Sequence, residues 1–228
     1  MAEVVGSNPI DSTIGARKGS LSFGGKSLLN DHYYQEEPRS PLKVRVAVLA
    51  LKNGHSYSFR TPSGVFAFGR IDRATKVLIA NAKIHGKRLL DLGCGYGVVG
   101  VTLKKEHPYL ELSMSDINKR AVEFAKINAK DNNIEADVRW GDLYEPWKNE
   151  RFDMIVSNPP ITAGKRVWER LIWGALDHLN IGGTLQLVAF HNKGGKRLRE
   201  MMKAAFGNVR ELCKEGGIRV YLSEKVER

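Results

Sequence analysis

Three aspartates and one asparagine each follow a short apolar segment, where a side chain could bind a ligand at the end of a buried strand. They are Asp91, Asp116, Asp142 and Asn158. Because ligands of open α/β sheets bind beyond the carboxyl ends of the strands, side chains in these places can act together. The spacing therefore predicts one composite site to which several strands contribute.

The glycine-rich run from Asp91 to Gly100 reads Asp-Leu-Gly-Cys-Gly-Tyr-Gly-Val-Val-Gly, between a predicted strand and a predicted helix. Glycines permit positive φ and a close approach of the backbone to a ligand, and the N–H groups of a helix start suit a polar or negative group. Gly95, Gly97 and Gly100 form a Gly-x-Gly-x-x-Gly pattern, which alone also fits a dinucleotide site. Asp91 favours a different nucleoside cofactor, because a carboxylate suits an ammonium group better than a pyrophosphate.

Asp116 and Asp142 are the candidates for holding a nucleoside. Asp116 ends a predicted strand, where a carboxylate can accept hydrogen bonds from both ribose hydroxyls, although dinucleotide sites use an acid in the same place. Asp142 follows the next predicted strand and can accept a hydrogen bond from an adenine amino group. The alternative for each residue is a helix cap or a surface charge.

The tetrad Asn158-Pro159-Pro160-Ile161 follows a fourth predicted strand. Proline fixes its own φ and pushes the preceding residue into an extended conformation, so this loop is expected to be stiff. An amide oxygen and a backbone carbonyl on a stiff loop form a pair of acceptors, which suits an amino group with two N–H donors. The alternative is a simple proline turn at a strand end.

The elements that position these residues alternate between strands and helices. Predicted strands span 43–52, 55–60, 88–92, 110–115, 136–140, 152–157, 184–190, 209–213 and 218–223, and predicted helices span 72–81, 97–105, 118–132, 165–179 and 195–206. This order indicates an α/β fold with a mostly parallel seven-stranded sheet and helices on both faces. The first two strands, joined by Asn53-Gly54, predict an N-terminal β-hairpin, and the last two suggest one antiparallel strand at an edge.

Composition limits the class of protein. The 228 residues carry a formal net charge of +11, which favours a polyanionic partner such as nucleic acid. The two cysteines, Cys94 and Cys213, match no metal-ligand spacing, so no metal site is predicted. No apolar run is long enough for a membrane span, and we expect a cytoplasmic protein, with a monomer favoured. Residues 1–30 are expected to be a flexible leader or a cloning remnant.

The glycine loop, the spaced acids and the Asn-Pro-Pro loop resemble class I S-adenosylmethionine-dependent methyltransferases. The segments Ser63-Gly64-Val65-Phe66 and Asp31-His32-Tyr33-Tyr34 resemble the lead-in of the "methyltransferase small" domain, and the run from Asn158 to Lys165 resembles its single-domain archaeal members. The resemblance implies a Rossmann-like methyltransferase domain over 31–228, with a hairpin and helix in 31–84 and the catalytic core in 85–228. It also implies a cofactor-binding set: Asp91, Gly93, Cys94, Gly95, Gly97, Asp116, Ile117, Asp142, Leu143 and Asn158.

The resemblance implies S-adenosyl-L-methionine as cofactor and an exocyclic amino group as methyl acceptor. Asn158, Pro159 and Pro160 are the expected catalytic residues, and the expected substrate-binding residues are Phe66, Ile161, Lys165, Arg166, Lys193 and Lys196. Many relatives have an aromatic residue where this chain has Ile161, so stacking on the substrate would come from elsewhere, with Phe66, Phe68 or Trp168 as candidates. Core packing is the favoured interpretation for Trp168.

Three functions remain open from the sequence. The favoured one is methylation of a base in RNA, with guanine N2 of ribosomal RNA ahead of adenine N6 and with tRNA as an alternative substrate. Protein glutamine methylation uses the same loop, but Ile161 and the basic charge count against it. A nucleotide- or RNA-binding module without turnover is disfavoured by the complete set of site residues.

Overall fold

The structure, a computed structural model, describes residues 36–38, 40–160 and 164–227. The strands are β1 Val44–Ala50, β2 Ser56–Pro62, β3 Arg88–Leu92, β4 Glu111–Asp116, β5 Asp137–Trp140, β6 Phe152–Ser157, β7 Leu179–Phe190, β8 Arg210–Glu215 and β9 Ile218–Glu224. The helices are α1 Arg73–Asn81, α2 Val98–Glu106, α3 Lys119–Asp131, α4 Lys165–His178 and α5 Lys196–Phe206. The predicted leader, the segment 31–34 and Ile161 lie outside the described residues.

The main sheet has seven strands in the order β5-β4-β3-β6-β7-β9-β8. Strands β3 to β7 pair in parallel, and β9 pairs antiparallel with both β7 and β8. After β3 the chain adds β4 and β5 on one side of this strand, and it then crosses over to place β6 on the other side. The direction in which strands are added therefore changes at β3. Clefts for ligands form at such a switch point, beyond the carboxyl ends of the strands.

The sheet separates two apolar cores, and alternation along its strands assigns residues to them. In β3, Leu89 belongs to the core under α1, α2 and α3, whereas Leu90 belongs to the core under α4 and α5. In β7, Val188 belongs to the first of these cores and Leu187 belongs to the second. Helices therefore cover both faces, as the alternating sequence pattern predicted.

The hairpin formed by β1 and β2 is a separate two-stranded antiparallel sheet. Its inner face buries Leu49 and Phe59, which belong to the same core as α1, α2 and α3. Asn128 of α3 ties the hairpin down: its Oδ1 accepts the Arg60 N–H at 2.7 Å, and its Nδ2 donates to the Arg60 carbonyl at 3.0 Å. The same Nδ2 also donates to the Tyr96 carbonyl of the glycine loop at 2.8 Å. The hairpin is thus attached to the floor of the cleft through one buried side chain.

The predicted fold class is confirmed, with one correction to the sheet. The antiparallel strand was expected at an edge, but β9 lies between β7 and β8, and β8 forms the edge. Val220, Tyr221 and Leu222 of β9 are fully buried, whereas β8 has no buried residue. A strand this apolar needs neighbours on both sides, and the polar β8 is suited to solvent.

The described residues contain neither a membrane-spanning helix nor a cluster suited to a metal ion. No helix in the described ranges is both long enough and apolar enough to cross a membrane. Over the same ranges, no group of three or more His, Cys, Asp or Glu side chains is arranged to hold a metal ion.

Candidate active site

A cavity of about 470 Å³ opens at the carboxyl edge of the parallel strands, beneath the segment that follows the hairpin. Its walls come from the ends of β3, β4, β6 and β7 and from the first turn of α1. Ten of the predicted site residues line it: Phe66, Asp91, Gly93, Cys94, Gly95, Asp116, Asn158, Pro159, Pro160 and Lys193. Segments far apart in the sequence thus meet at one cavity, as the strand-end spacing predicted.

The glycine loop between β3 and α2 is held in a conformation that favours glycine. Gly93, Gly95 and Gly97 have φ values of 71°, 55° and 88°, in the left-handed region that side chains with a Cβ avoid. The Gly93 and Cys94 N–H groups both donate to the Ser115 carbonyl, at 2.8 and 3.0 Å, which anchors the loop to the end of β4. A Cβ on Gly97 would stand 3.3 Å from the Ala125 backbone, so glycine also permits the close packing of α2 on α3.

Asp91 places a buried carboxylate at the floor of the cavity. It is 1% exposed, and its Oδ2 accepts the Gly100 N–H of α2 at 2.8 Å. Burial raises the pKa of Asp91 to about 7; the Gly100 N–H opposes this shift, and the nearby Asp116 adds to it. A cationic group in the cavity would relieve this unfavourable burial, which agrees with the predicted ammonium partner.

Asp116 supplies a second carboxylate at the end of β4. Its Oδ2 accepts the Gly95 N–H at 2.8 Å, and its Oδ1 accepts the Asn118 N–H at 2.9 Å. Burial raises the pKa of Asp116 to about 6, while the backbone N–H donors act in the opposite direction. Two carboxylates and a glycine backbone at one cavity fit a nucleoside that carries an amino acid moiety, the composition of S-adenosylmethionine. Apart from the two chain neighbours, the nearest atom of the described residues to the position a Gly93 Cβ would take is the Ser157 Oγ at 4.0 Å, so the loop leaves room for a ligand there.

Asp142, the predicted reader of adenine, does not line the cavity in this structure. It accepts a hydrogen bond from the Arg170 guanidinium of α4 at 2.7 Å, and its side chain is 32% exposed. The Gly141 N–H donates to the Asp116 carbonyl at 3.1 Å, so the two predicted nucleoside-binding acids lie on adjoining strand ends. The adenine role of Asp142 stays a prediction, as do those of Ile117 and Leu143.

Asn158 at the end of β6 lies against the start of α1. Its Nδ2 donates to the Thr75 hydroxyl at 3.1 Å and is 3.4 Å from the Asp72 Oδ2. Asp72 is the predicted N-cap of α1, and its Oδ2 also accepts the Ala74 and Thr75 N–H groups, at 2.8 and 3.2 Å. The asparagine side chain is therefore held from one side by a helix that lies more than seventy residues earlier in the sequence.

The two prolines that follow Asn158 line the cavity together with it. The Pro160 carbonyl accepts the indole N–H of Trp168 at 3.1 Å, which fixes the end of the loop to α4. Trp168 is 5% exposed and belongs to the core under α4 and α5. This confirms core packing for Trp168 and removes it as a stacking surface for the substrate.

Aromatic and basic side chains surround the cavity entrance. Phe66 lines the cavity, and Phe68 close by is covered by the Arg45 guanidinium, 5.0 Å from the ring centroid. Phe190 at the end of β7 also lines the cavity, and Lys193 stands over its ring at 5.9 Å. Phe190 was missed from the sequence because the end of an apolar strand gives no chemical signal of its own.

The remaining predicted residues that the structure describes lie outside the cavity wall. Of the basic residues, Lys165 pairs with Glu169 at 3.1 Å, while Arg166 and Lys196 are exposed near the starts of α4 and α5. Gly97 is buried at the N-cap of α2, where its positive φ allows the helix to begin.

Thr75 and Asp72 line the cavity but were not predicted as site residues. Their spacing, three apart in a first helical turn, was the available signal, since such residues share one side of a helix.

The order of the seven strands, the glycine loop after β3 and the Asn-Pro-Pro loop after β6 define a Rossmann-like methyltransferase. The sequence matches the model of the Methyltransferase small domain family over residues 56–222, and the chain belongs to this family. The predicted class, an S-adenosylmethionine-dependent methyltransferase, is thereby confirmed.

Three relatives illustrate the similarity. The chain is 30% identical over 203 residues to the uncharacterized protein YbxB of Bacillus subtilis, covering 87% of this chain and 100% of that protein. It is 34% identical over 172 residues to ribosomal RNA small subunit methyltransferase C of Serratia proteamaculans, covering 73% and 48%. A solved structure, the T. thermophilus 16S rRNA N2 G1207 methyltransferase (RsmC) in complex with AdoMet and guanosine, superimposes with a TM-score of 0.69 at 25% identity, covering 82% of this chain and 52% of that one. The chain therefore spans the whole of the first relative and about half the length of the other two.

Proposed function

We propose that this protein methylates the exocyclic amino group of a base in RNA, with guanine N2 of ribosomal RNA as the target. One observation carries the proposal: the rigid Asn158-Pro159-Pro160 loop and the carboxylate-bearing glycine loop line a single cavity. An amide at the methyl-transfer site suits an amine acceptor, and the carboxylates suit the cofactor.

The choice of RNA is supported by charge and by similarity. The net charge of +11 suits a polyanion, and Lys193 lines the cavity with Arg166 and Lys196 exposed on neighbouring helices. Lysines and arginines in such places can contact phosphates, which anchor an RNA without reading its sequence. The relatives named for ribosomal RNA methylation, one of them solved with guanosine, favour guanine N2 over other amines. A ribosomal RNA substrate would also make the protein cytoplasmic.

In the proposed reaction the protein acts mainly by positioning. S-adenosylmethionine, when bound, supplies a methyl group already activated by a positively charged sulfur. Asn158 and the loop backbone accept the N–H groups of the substrate amine, so that its lone pair is directed at the methyl position. Such orientation can contribute about 7–11 kcal/mol to barrier lowering, and the surplus proton of the amine can leave to solvent afterwards. Reaching a base amine requires a nucleotide to leave its stack, and Phe66 and Phe190 offer apolar surface to receive it.

The direct test uses radiolabelled methyl donor with four separate acceptors: unmodified ribosomal RNA, assembled small subunits, tRNA and bulk protein. We expect label in a ribosomal RNA sample, released as N2-methylguanosine on digestion. Release as N6-methyladenosine would contradict the base assignment, and label only in protein would contradict the RNA assignment.

The catalytic loop is tested by Asn158→Ala with a matched control. Loss of one preorganised polar group at a reaction centre typically lowers kcat on the order of a hundredfold or more, and we expect that loss here, with cofactor affinity nearly unchanged. Asn180→Ala is the control. The Asn180 Nδ2 also donates to an aspartate, Asp153, at 2.8 Å, but this pair lies at the starts of β6 and β7, at the end of the sheet away from the cavity. Wild-type turnover in Asn158→Ala would refute the role of this loop.

A further inference from the structure

The orientation of the Asn158 amide decides what the cavity can bind, because one end of an amide accepts hydrogen bonds and the other donates them. The side chain is half-buried between the cavity and the first turn of α1. Which end faces the cavity therefore depends on the groups that α1 presents to the other end.

Asp72 presents a carboxylate to this amide, with its Oδ2 3.4 Å from the Asn158 Nδ2. A carboxylate only accepts hydrogen bonds, so it attracts the amide nitrogen and repels the amide oxygen. The same Oδ2 is fixed by the Ala74 and Thr75 N–H groups at the start of α1, so it cannot turn away without uncapping the helix.

Thr75 presents a second acceptor. Its hydroxyl oxygen is 3.1 Å from the Asn158 Nδ2, and the threonine is 8% exposed and lines the cavity. Two acceptors on one rigid helical turn thus face the same amide nitrogen. With both in place, the Asn158 Oδ1 is directed away from α1.

We propose that Asp72 and Thr75 are positioning residues that hold Asn158 with its oxygen towards the substrate, so that the site selects acceptors carrying N–H groups. This inference rests on the proposed function and deepens it, because it assigns the amine selectivity to a contact between α1 and the catalytic loop. A substrate that presents a carbonyl or another acceptor at this place meets an oxygen and is rejected.

The test removes each acceptor while keeping the helix intact. Thr75→Val replaces the hydroxyl with a methyl group of similar size, and Thr75→Ser restores a hydroxyl. Asp72→Ser keeps a good N-cap but withdraws the carboxylate from Asn158. Thr102→Val is the matched control, because Thr102 is a buried helical threonine whose hydroxyl has no hydrogen-bond partner among the described residues.

With unmodified ribosomal RNA as substrate, we expect Thr75→Val and Asp72→Ser to lower kcat about five- to tenfold, the equivalent of one lost hydrogen bond. Cofactor affinity measured by calorimetry should stay within about twofold of wild type, because neither side chain belongs to the glycine loop. Thr75→Ser and Thr102→Val should retain nearly wild-type kcat.

A double-mutant cycle separates positioning from a merely structural role. If Thr75 acts through Asn158, adding Thr75→Val to Asn158→Ala should cause no further loss of single-turnover rate. An equal further loss in that background, or wild-type kcat in both Thr75→Val and Asp72→Ser, would overturn the inference. The proposed function fails if the wild-type protein labels no RNA, and full turnover in Asn158→Ala refutes the role of the loop and this inference with it. If Asn158→Ala is inactive while the α1 variants are fully active, only this inference fails.

Discussion

Replacing Asp91 with asparagine should stabilise the protein without cofactor and weaken cofactor binding. Asparagine keeps an oxygen for the Gly100 N–H, which the Asp91 carboxylate now accepts at 2.8 Å, and it removes a negative charge that is 1% exposed. The uncharged side chain is easier to bury, but it offers less to a cationic ligand. Stability and affinity should therefore change in opposite directions.

The magnitude follows from the pKa of Asp91, raised by burial from 3.8 to about 7. Below pH 3.8 the carboxyl group is protonated in the folded and unfolded states, and it contributes no pH dependence. As the pH rises towards 7 the unfolded state ionises first, so the stability of wild type falls, and above pH 7 the full cost is present. A difference of about 3 pH units corresponds to about 4 kcal/mol, of which roughly 2–3 kcal/mol develops between pH 5 and pH 8.

Urea unfolding of wild type and Asp91→Asn at pH 5 and pH 8, both without cofactor, measures this quantity. We expect the free energy of unfolding of the variant, relative to wild type, to rise by roughly 2–3 kcal/mol between the two pH values. Calorimetry at pH 8 should show weaker binding of S-adenosylmethionine by the variant. A stability difference independent of pH would refute the reasoning from burial, and unchanged affinity would remove Asp91 from the cofactor site.

Three further predictions concern the cofactor loop and the RNA contact. Asp116→Ala should weaken cofactor binding at least about tenfold in calorimetry while leaving RNA affinity unchanged, because its carboxylate lines the cavity and holds the Gly95 N–H of the glycine loop. Equal loss of both affinities would contradict this. Lys193→Ala should weaken RNA binding and reduce its salt slope by about 1 in filter-binding titrations, whereas Lys148→Ala, an exposed control, should not. Gly97→Ala should lower the free energy of unfolding by about 2 kcal/mol or more, because alanine would have to adopt a φ of 88° with its Cβ 3.3 Å from the Ala125 backbone. An unchanged urea midpoint would show that the loop relaxes freely.

The features that local sequence determines were predicted well. The glycine loop could be recognised because positive φ, strand end and helix start all occur within ten residues. Asp116 and Asn158 were predicted as site residues because each directly follows an apolar strand, and parallel strands bring their ends together.

Features that depend on distant contacts could not be predicted in the same way. Thr75 belongs to the site only because the start of α1 packs beside β6. The spacing of Asp72 and Thr75 places both on one side of the helix, but no residue in 72–81 identifies β6 as the neighbour of that side. Asp142 has suitable spacing for a nucleoside contact, yet a guanidinium from α4, Arg170, binds it in this structure. The position of β9 inside the sheet depends on a comparison of its apolar character with that of β8, and both had been treated as one terminal pair.

Asn128 gives the cleft a spectroscopic reporter. Its single side chain holds the Arg60 N–H of the hairpin and the Tyr96 carbonyl of the glycine loop, and it is 0% exposed. The Arg60 amide can therefore exchange its hydrogen with solvent only when this buried junction opens. Deuterium uptake at Arg60 thus records how often the hairpin separates from Asn128 of α3. Because Asn128 also binds the glycine loop, a ligand that stiffens the loop should slow uptake at Arg60.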